Sequence, residues 1–204
     1  MMPMKHTMRT LFAAAAILPA LAFAAAVPGQ SAPDFSVEDA EGTVHTLADY
    51  RGEWLVLEWF NRDCPFVRKH YDTQNMQDLQ ARYTDEGVKW LTVISSNEGK
   101  QGYFTPEQAR AEADQHALAS SAAFLLDVSG DMGRAYDAKV TPHMYVIDPE
   151  GTVVYAGAID DNDSANPAVV PESHNYVAAA LDAGMSGDPV ATTSTRAYGC
   201  TIKY

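Results

Sequence analysis

Two cysteines, Cys64 and Cys200, are the residues of this chain best suited to covalent chemistry. Cys64 precedes Pro65 at the predicted start of a helix, where unpaired backbone N–H groups and the positive end of the helix dipole favour a thiolate. Arg68 lies one turn further along the same face, and Arg62 comes just before the cysteine, so both are candidates to stabilise that thiolate. The alternative is that both arginines are solvated surface groups. Cys64 is therefore the predicted nucleophile of a thiol redox site.

Glu58 interrupts an otherwise apolar run, WLVLEWF at residues 54–60, six positions before Cys64. Such a run is typical of a central strand that is buried on both faces, so the carboxyl group is expected to point into the interior. An unpaired buried carboxylate costs on the order of several kcal/mol. We therefore predict that Glu58 is partly protonated and relays a proton. The alternative is a carboxylate at a strand end, paired with a lysine or arginine.

Thr141 and Pro142 directly precede a predicted strand. A cis-proline loop at this point would remove one backbone donor and leave the preceding backbone free to pair with an extended substrate. The sequence alone does not establish a cis bond. Together with Pro65 and Trp59, these two residues are the predicted lining of a substrate groove.

The elements that must position these groups alternate between strands and helices. One helix is predicted from Cys64 to about Asp85, and the remaining helices are predicted at 105–118, 132–138 and 175–183. Strands are predicted at 54–60, 88–94, 124–128, 144–147 and 153–159, the last two joined by the turn at 148–151. This order predicts an α/β three-layer sandwich with a mixed central sheet and a C-terminal hairpin plus helix.

The N-terminal residues 1–26 have the pattern of a cleavable signal peptide: Lys5 and Arg9 precede an uncharged, alanine-rich run. Cleavage is expected near Ala24 or Ala26, and the alternative is an uncleaved anchor. We expect a periplasmic or secreted protein with no stable membrane insertion after processing. Residues 27–184 are predicted to form one domain, followed by a tail at 185–204 that carries Cys200. Export would place both cysteines where disulfides persist.

The formal net charge of −13 argues against nucleic acid as a partner, because phosphate binding needs clustered lysine and arginine. Two cysteines do not by themselves supply the usual zinc ligand set, so no metal or other cofactor is expected. Four histidines are predicted to be ordinary surface or loop residues: His45, His70, His116 and His174.

The arrangement of these residues resembles the thioredoxin superfamily. The resemblance rests on Trp59-Phe60 followed by Cys64-Pro65 at a helix start, on the acid six residues before the cysteine, and on Thr141-Pro142 before a hairpin. The chain is most similar to the redoxin branch, which contains alkyl hydroperoxide reductase/thiol-specific antioxidant proteins and exported thioredoxin-like proteins. The similar region runs from about Ala32 to Gly184. It implies a thioredoxin-like fold and thiol-dependent oxidoreductase activity.

The chain departs from the family in two ways. The Cys-x-x-Cys pair of thioredoxins is here Cys64-Pro65-Phe66-Val67, so the neighbouring second thiol is missing. Peroxiredoxins carry Pro-x-x-x-Thr-x-x-Cys, and this chain has Leu57 and Asn61 at the proline and threonine positions. The second departure puts peroxidase activity in doubt.

Cys200 is the candidate to replace the missing thiol. It lies in the aromatic and apolar segment 198–204, which follows a Gly/Ser/Thr-rich stretch and is able to dock. The resemblance implies a C-terminal resolving cysteine, as in several redoxins. The alternatives are a static structural disulfide between Cys64 and Cys200, or two unpaired thiols. A copper site using Cys64 and His143 is a weaker alternative, because copper chaperones of this fold use two nearby cysteines.

The sequence therefore predicts an oxidoreductase in which Cys64 attacks a disulfide or a peroxide and Cys200 resolves the adduct. Glu58 would move the proton and Arg68 would favour the thiolate. The expected partners are a protein or small-molecule thiol or disulfide, or a peroxide, together with an external thiol reductant. The alternative is a non-catalytic binding module with a structural Cys64–Cys200 disulfide.

Overall fold

The fold is built on a five-stranded mixed sheet. The computed structural model describes residues 25–116 and 122–204. The sheet contains β3 (Leu55–Trp59), β4 (Lys89–Ile94), β5 (Ala122–Leu126), β7 (His143–Ile147) and β8 (Val153–Gly157), in the spatial order β5-β4-β3-β7-β8. β3, β4 and β5 are parallel, whereas β7 is antiparallel to both β3 and β8. All five residues of the central strand β3 are buried, as its apolar sequence predicts.

Helices cover both faces of this sheet. One core cluster packs the sheet against residues of α1 (Pro65–Tyr71), α2 (Asn75–Asp85), α3 (Pro106–Gln115) and α5 (Tyr176–Met185). The cluster on the opposite face includes residues of α4 (Asp131–Ala135) and of the N-terminal segment, among them Phe35 and Leu47. The predicted α/β class, mixed sheet and terminal hairpin plus helix are thus confirmed.

Residues 25–116 and 122–204 also contain short elements. β1 (Ser36–Glu38) pairs with β2 (Val44–Thr46), and β6 (Val140–Thr141) pairs with β9 (Cys200–Thr201). Two 3₁₀ helices span Leu47–Tyr50 and Pro167–Glu172.

The prediction of one continuous helix from Cys64 to Asp85 is wrong. The helix stops at Tyr71, and α2 begins three residues after Asp72, preceded by Gln74 in the left-handed region at φ 64°. The hydroxyl of Thr73 donates to the carbonyl oxygen of Lys69 at 2.7 Å. A local side-chain bond of this kind competes with helix continuation. The break leaves α1 as a short helix that starts at the cysteine.

Two predicted segments lie partly outside the described residues. They are the signal peptide at 1–26, of which residues 25 and 26 are described, and the helix at 105–118, of which residues 105–116 are described. Ala26 is described and is buried in the core. Within residues 25–116 and 122–204, no helix is long and apolar enough to cross a membrane.

The C-terminal tail is packed against the domain. Thr193 and Thr195 exchange backbone hydrogen bonds with Ala156 of β8 at 3.0 and 3.1 Å. Further on, β9 pairs with β6, and the carbonyl of Lys203 accepts from the backbone N–H of Asn97 at 2.9 Å. The tail therefore crosses the end of the molecule at which α1 begins.

Candidate active site

Cys64 occupies the N-cap position of α1. A tight loop joins it to β3: the side chain of Asn61 accepts from the N–H of Asp63 at 3.0 Å, and the carbonyl of Asn61 accepts from the N–H of Cys64 at 3.0 Å. Pro65 follows at the first helical position, where its missing N–H costs nothing. The Cys64 side chain is fully buried, and its Sγ donates to the carbonyl oxygen of Thr141 at 3.0 Å. The structure thus holds the Cys64 sulfur beneath other residues.

The loop facing Cys64 contains a cis peptide bond between Thr141 and Pro142. Both residues are buried. The backbone of Thr141 is not open, because it pairs in antiparallel register with Cys200. The hydroxyl of Thr141 also donates to the carbonyl of Cys200 at 3.4 Å. The edge predicted to receive a substrate is therefore occupied by the tail of the same chain.

Cys200 lies next to Cys64 in this arrangement. Both residues contact Thr141, Cys64 through its Sγ and Cys200 through strand pairing, and both are free thiols. Burial raises the pKa of the Cys200 thiol to about 12, and the interaction with Cys64 acts in the same direction. Cys200 is consequently protonated at neutral pH. The structure brings together the two thiols that the sequence placed in distant segments.

Tyr198 anchors the tail just before Cys200. Its hydroxyl donates to the carboxylate of Asp160, and its ring lies 5.8 Å from the ring of Phe66. The ammonium of Lys69 is 4.9 Å from the centre of the same ring. Aromatic and cation–π contacts of this kind add to the area that the ring buries.

A buried polar cluster lies beneath Tyr198. The ammonium of Lys69 donates to Asp160 at 3.3 Å and to the carbonyl of Asn162 at 2.6 Å. Nε2 of His70 lies 3.7 Å from the Asp160 carboxylate, and burial lowers the pKa of His70 to about 4. The prediction that His70 is a surface residue is wrong. His70 lies four residues after the apolar Phe66. Because residues four apart share one face of a helix, this spacing was a signal in the sequence that His70 is buried.

Glu58 is buried in the interior, as predicted, and the strand-end alternative is wrong. One carboxylate oxygen accepts from Tyr71 at 2.8 Å, and the other accepts from Trp90 at 2.9 Å and from Gln80 at 3.1 Å. Burial raises the pKa of Glu58 to about 7 despite these three donors. The alternation of β3 places Glu58 on the face of Val56, which packs in the same cluster as Cys64. Its role in moving a proton stays a prediction.

The structure does not support the expectation that Arg68 stabilises the thiolate. The Arg68 side chain is 63 % exposed and pairs with Asp72 at 3.4 Å. The guanidinium of Arg62 pairs with Glu112 at 3.1 Å and lies over the ring of Phe104. Each guanidinium group is thus paired with a carboxylate, and neither pairing involves Cys64.

Trp59 does not line a groove, which corrects that prediction. It is fully buried in the cluster on the other face of the sheet from Cys64, and its indole N–H donates to Ser95 at 3.0 Å. Pro65 is exposed beside Cys64.

The ring of His143 packs 4.7 Å from that of Tyr145, and burial lowers the pKa of His143 to about 4. Within the part of the chain that the structure describes, no group of three or more His, Cys, Asp or Glu side chains is arranged to hold a metal ion.

A mixed sheet flanked by helices, with a cysteine starting α1 against a cis-proline loop, defines a thioredoxin-fold protein. Comparison with known families gives a more specific result. The AhpC/TSA family matches residues 28–156, which is more than half of the chain. The chain therefore belongs to the AhpC/TSA family, and the predicted membership of the redoxin branch is confirmed.

Curated relatives are thioredoxin-like proteins and oxidoreductases. The chain is 29 % identical over 125 residues to the thioredoxin-like protein YneN of Bacillus subtilis (strain 168), covering 61 % of this chain and 68 % of that one. It is 27 % identical over 125 residues to the thiol-disulfide oxidoreductase ResA of Geobacillus thermodenitrificans, covering 61 % and 66 %. The match spans about two thirds of the length of each relative. These relatives support an oxidoreductase role for the chain.

Two solved structures match more of the chain. An uncharacterised conserved protein from Geobacillus kaustophilus has a TM-score of 0.76 at 28 % identity, covering 88 % of this chain and 93 % of that one. A hypothetical protein from Sinorhizobium meliloti 1021 has a TM-score of 0.73 at 27 % identity, covering 87 % and 94 %. The similarity thus extends beyond the 125 residues shared with the curated relatives.

Proposed function

We propose that this protein is a thiol-disulfide oxidoreductase whose redox pair is Cys64 and Cys200. The observation that carries the proposal is the pairing of β9 with β6, which places Cys200 opposite Thr141, the residue whose carbonyl oxygen accepts from Cys64 at 3.0 Å. The pairing supplies, from the end of the chain, the second thiol that the Cys64-Pro65-Phe66-Val67 segment lacks. The names of the curated relatives support the same class of reaction.

The reaction proceeds by two successive thiol-disulfide exchanges. The Cys64 thiolate attacks one sulfur of a substrate disulfide, forms a mixed disulfide with it and releases the other substrate sulfur as a thiolate. Cys200, once deprotonated, then attacks Cys64, which releases the second substrate thiol and leaves a Cys64–Cys200 disulfide. Two electrons pass from the protein to the substrate, and an external thiol reductant restores the pair.

Both exchanges require the tail to move. Cys64 is fully buried while β9 is paired, so a substrate sulfur reaches it only after residues 199–201 separate from Thr141. The same segment must return for Cys200 to attack. Tail movement is therefore part of each catalytic cycle in this proposal.

Glu58 is the proposed proton carrier. With a pKa of about 7, its carboxyl group exists in both protonation states at neutral pH, as a group that accepts and returns a proton must. Deprotonation of Cys200 is the step that needs such an acceptor, because burial raises the pKa of that thiol to about 12.

A disulfide is the favoured substrate over a peroxide. Asn61 occupies the threonine position of the peroxiredoxin pattern, and its side-chain oxygen is engaged with the N–H of Asp63 at 3.0 Å. The residue is itself buried. This loop offers no hydroxyl to a peroxide at the position where the family pattern places one.

We further propose that the protein acts outside the cytoplasm after removal of the predicted signal peptide. The burial of Ala26 in the core favours processing near Ala24, which keeps that contact in the mature protein. An N-terminal sequence starting beyond Ala26 would contradict this site.

The test is turnover with a small dithiol donor and a peptide disulfide as acceptor. Cys64→Ser should abolish turnover, whereas Cys200→Ser should accumulate a mixed disulfide on Cys64. Wild-type protein should reduce the peptide disulfide much faster than hydrogen peroxide. A Cys64–Cys200 bridge that resists reduction below about −300 mV, with no turnover, would support the structural-disulfide alternative instead.

A further inference from the structure

The tail lies where an extended substrate would pair, and its residues fit that position closely. We infer that the site recognises extended cysteine-containing peptides in which a tyrosine and a glycine immediately precede the cysteine, with residues 198–200 of the chain as its internal example. The inference rests on the proposed function, because it names the substrate class of the same thiol. Three contacts, one for each residue, carry it.

The cysteine position is set by backbone pairing. Thr141 is the residue that faces both thiols: its carbonyl accepts from Cys64 at 3.0 Å, and its backbone pairs with that of Cys200. A peptide that adopts the same antiparallel register therefore presents the sulfur of its own cysteine to Cys64. Backbone bonds provide the affinity in such strand addition, and side-chain pockets provide the selectivity.

The position before the cysteine accepts glycine alone. Gly199 adopts φ +139°, and a Cβ built on it would lie 1.9 Å from the carbonyl oxygen of Thr141 and 2.7 Å from the carbonyl carbon. Both atoms are backbone, so the overlap cannot be relieved by rotating a side chain. Any larger residue would push the strand away from Thr141.

The position two before the cysteine selects tyrosine. The Tyr198 ring packs between Phe66 and the Lys69 ammonium, and its hydroxyl donates to Asp160. Asp160 is only 3 % exposed, so an aromatic ring without a hydroxyl would leave a buried carboxylate with one donor fewer. The pocket thus distinguishes tyrosine from phenylalanine as well as from small residues.

The internal segment competes with any external peptide. It is held further along by Ile202, which is buried, and by Tyr204, whose hydroxyl donates to the carbonyl of Ala138 at 2.7 Å. Covalent attachment gives it a high effective concentration. Recognition of a free peptide is therefore measured best in a full-length variant whose own tail cannot pair.

The test uses Cys64 as the sole thiol and a coloured leaving group. In the Cys200→Ser, Gly199→Val protein, the tail should leave Thr141 while the pocket stays unchanged. The probe is the peptide Ala-Tyr-Gly-Cys-Thr-Ile, its cysteine joined by a disulfide to thionitrobenzoate. Attack by the Cys64 thiolate forms a Cys64–peptide disulfide, breaks the probe disulfide and releases the coloured thiolate, with no net oxidation. Mass spectrometry identifies the adduct.

The matched control is Cys200→Ser with Gly187→Val. Gly187 also has a positive φ, +81°, but a Cβ there meets nothing within 4 Å, so the tail should stay paired. In the Gly199→Val protein, the Tyr-Gly-Cys peptide should react at least about tenfold faster than the same peptide with valine for glycine, a steric discrimination of the size seen for overpacking. Peptides with alanine or phenylalanine for tyrosine should also react more slowly. The control should react slowly with every peptide.

A small disulfide without a peptide separates failure of the inference from failure of the proposed function. If Cys64 reacts with that reagent but all peptides react at equal rates, the inference is overturned and the redox role stands. If Cys64 reacts with neither, both are overturned. Should Gly199→Val not fold, Tyr198→Ala with Cys200→Ser loosens the same segment, and the same ranking of peptides is expected.

Discussion

Replacing Glu58 by glutamine should make the protein more stable at alkaline pH, although the residue lies in the core. Burial raises the pKa of Glu58 from an ordinary 4.5 to about 7. The folded state therefore binds this proton more tightly than the unfolded state does. The contribution of the group to stability is fully present below about pH 4.5 and is lost as the pH rises through 7.

The size of the effect follows from the two pKa values. The interval between 4.5 and about 7 corresponds to about 3 kcal/mol of unfolding free energy lost by pH 8. Glutamine avoids this loss because it carries no titratable proton. Its amide oxygen can accept from Trp90 and Gln80, and its amide group can donate to the hydroxyl oxygen of Tyr71. The bond to Tyr71 is then reversed, as it also is when a protonated carboxyl group at Glu58 donates to that hydroxyl.

The assay is urea unfolding of wild-type and Glu58→Gln proteins at intervals from pH 5 to pH 8. The two should have similar stability at pH 5, and the variant should be more stable by up to about 3 kcal/mol at pH 8. The buried residues His70 and His143 also titrate in acid, with a pKa of about 4 each, but their effect cancels in the difference between the two proteins. Glu53→Gln, at a carboxylate 42 % exposed, is the matched control and should follow wild type.

Parallel stability curves for wild type and Glu58→Gln across this range would refute the reasoning. They would mean that the three donors around the carboxylate balance the cost of burying its charge, so that the pKa of Glu58 is not raised. A lower stability of Glu58→Gln at pH 8 would refute it as well. In either case Glu58 would be unsuited to the proton transfer proposed for it.

Three further substitutions test the surroundings of the thiol pair. Gln74→Gly should raise the unfolding free energy by about 1 kcal/mol in thermal unfolding, because glycine adopts φ 64° without a steric cost; a decrease would contradict this. Lys69→Met should cost about 3 kcal/mol in urea unfolding, since it leaves Asp160 buried without its cation; a neutral result would contradict the pairing. Arg68→Ala should change the rate of Cys64 with a small disulfide by less than about twofold and stability by under about 1 kcal/mol, because its ion pair is exposed. A tenfold fall in that rate would restore the predicted role of Arg68.

Local patterns predicted the elements that carry the site. The continuous apolar run of β3 predicts a buried strand. Proline directly after Cys64 predicts the start of α1, because proline is favoured at the first helical position. The position of Glu58 inside β3 was sufficient to predict its burial. The cis bond before Pro142 required the family resemblance, because isomer choice depends on surroundings that are distant in sequence.

What the sequence did not reveal depends on contacts between distant segments. Lys69 and His70 are buried side chains that lie against the carboxylate of Asp160. Asp160 is 91 residues from Lys69 in sequence. The register that pairs Thr141 with Cys200 joins residues 59 positions apart. Gln74, which lies between α1 and α2, adopts a left-handed conformation that its residue type does not demand. Each depends on packing that only the folded chain provides.

The central claim is that Cys64 and Cys200 exchange electrons as a pair, and it is tested most directly by peptide mapping under non-reducing conditions. Reduced wild-type protein is treated with one equivalent of a peptide disulfide and quenched with acid. The account predicts an intrachain link between the peptides that contain Cys64 and Cys200, and a persistent mixed disulfide at Cys64 in Cys200→Ser. A mixed disulfide that persists on Cys64 of the wild-type protein, with Cys200 recovered as a free thiol, would contradict it.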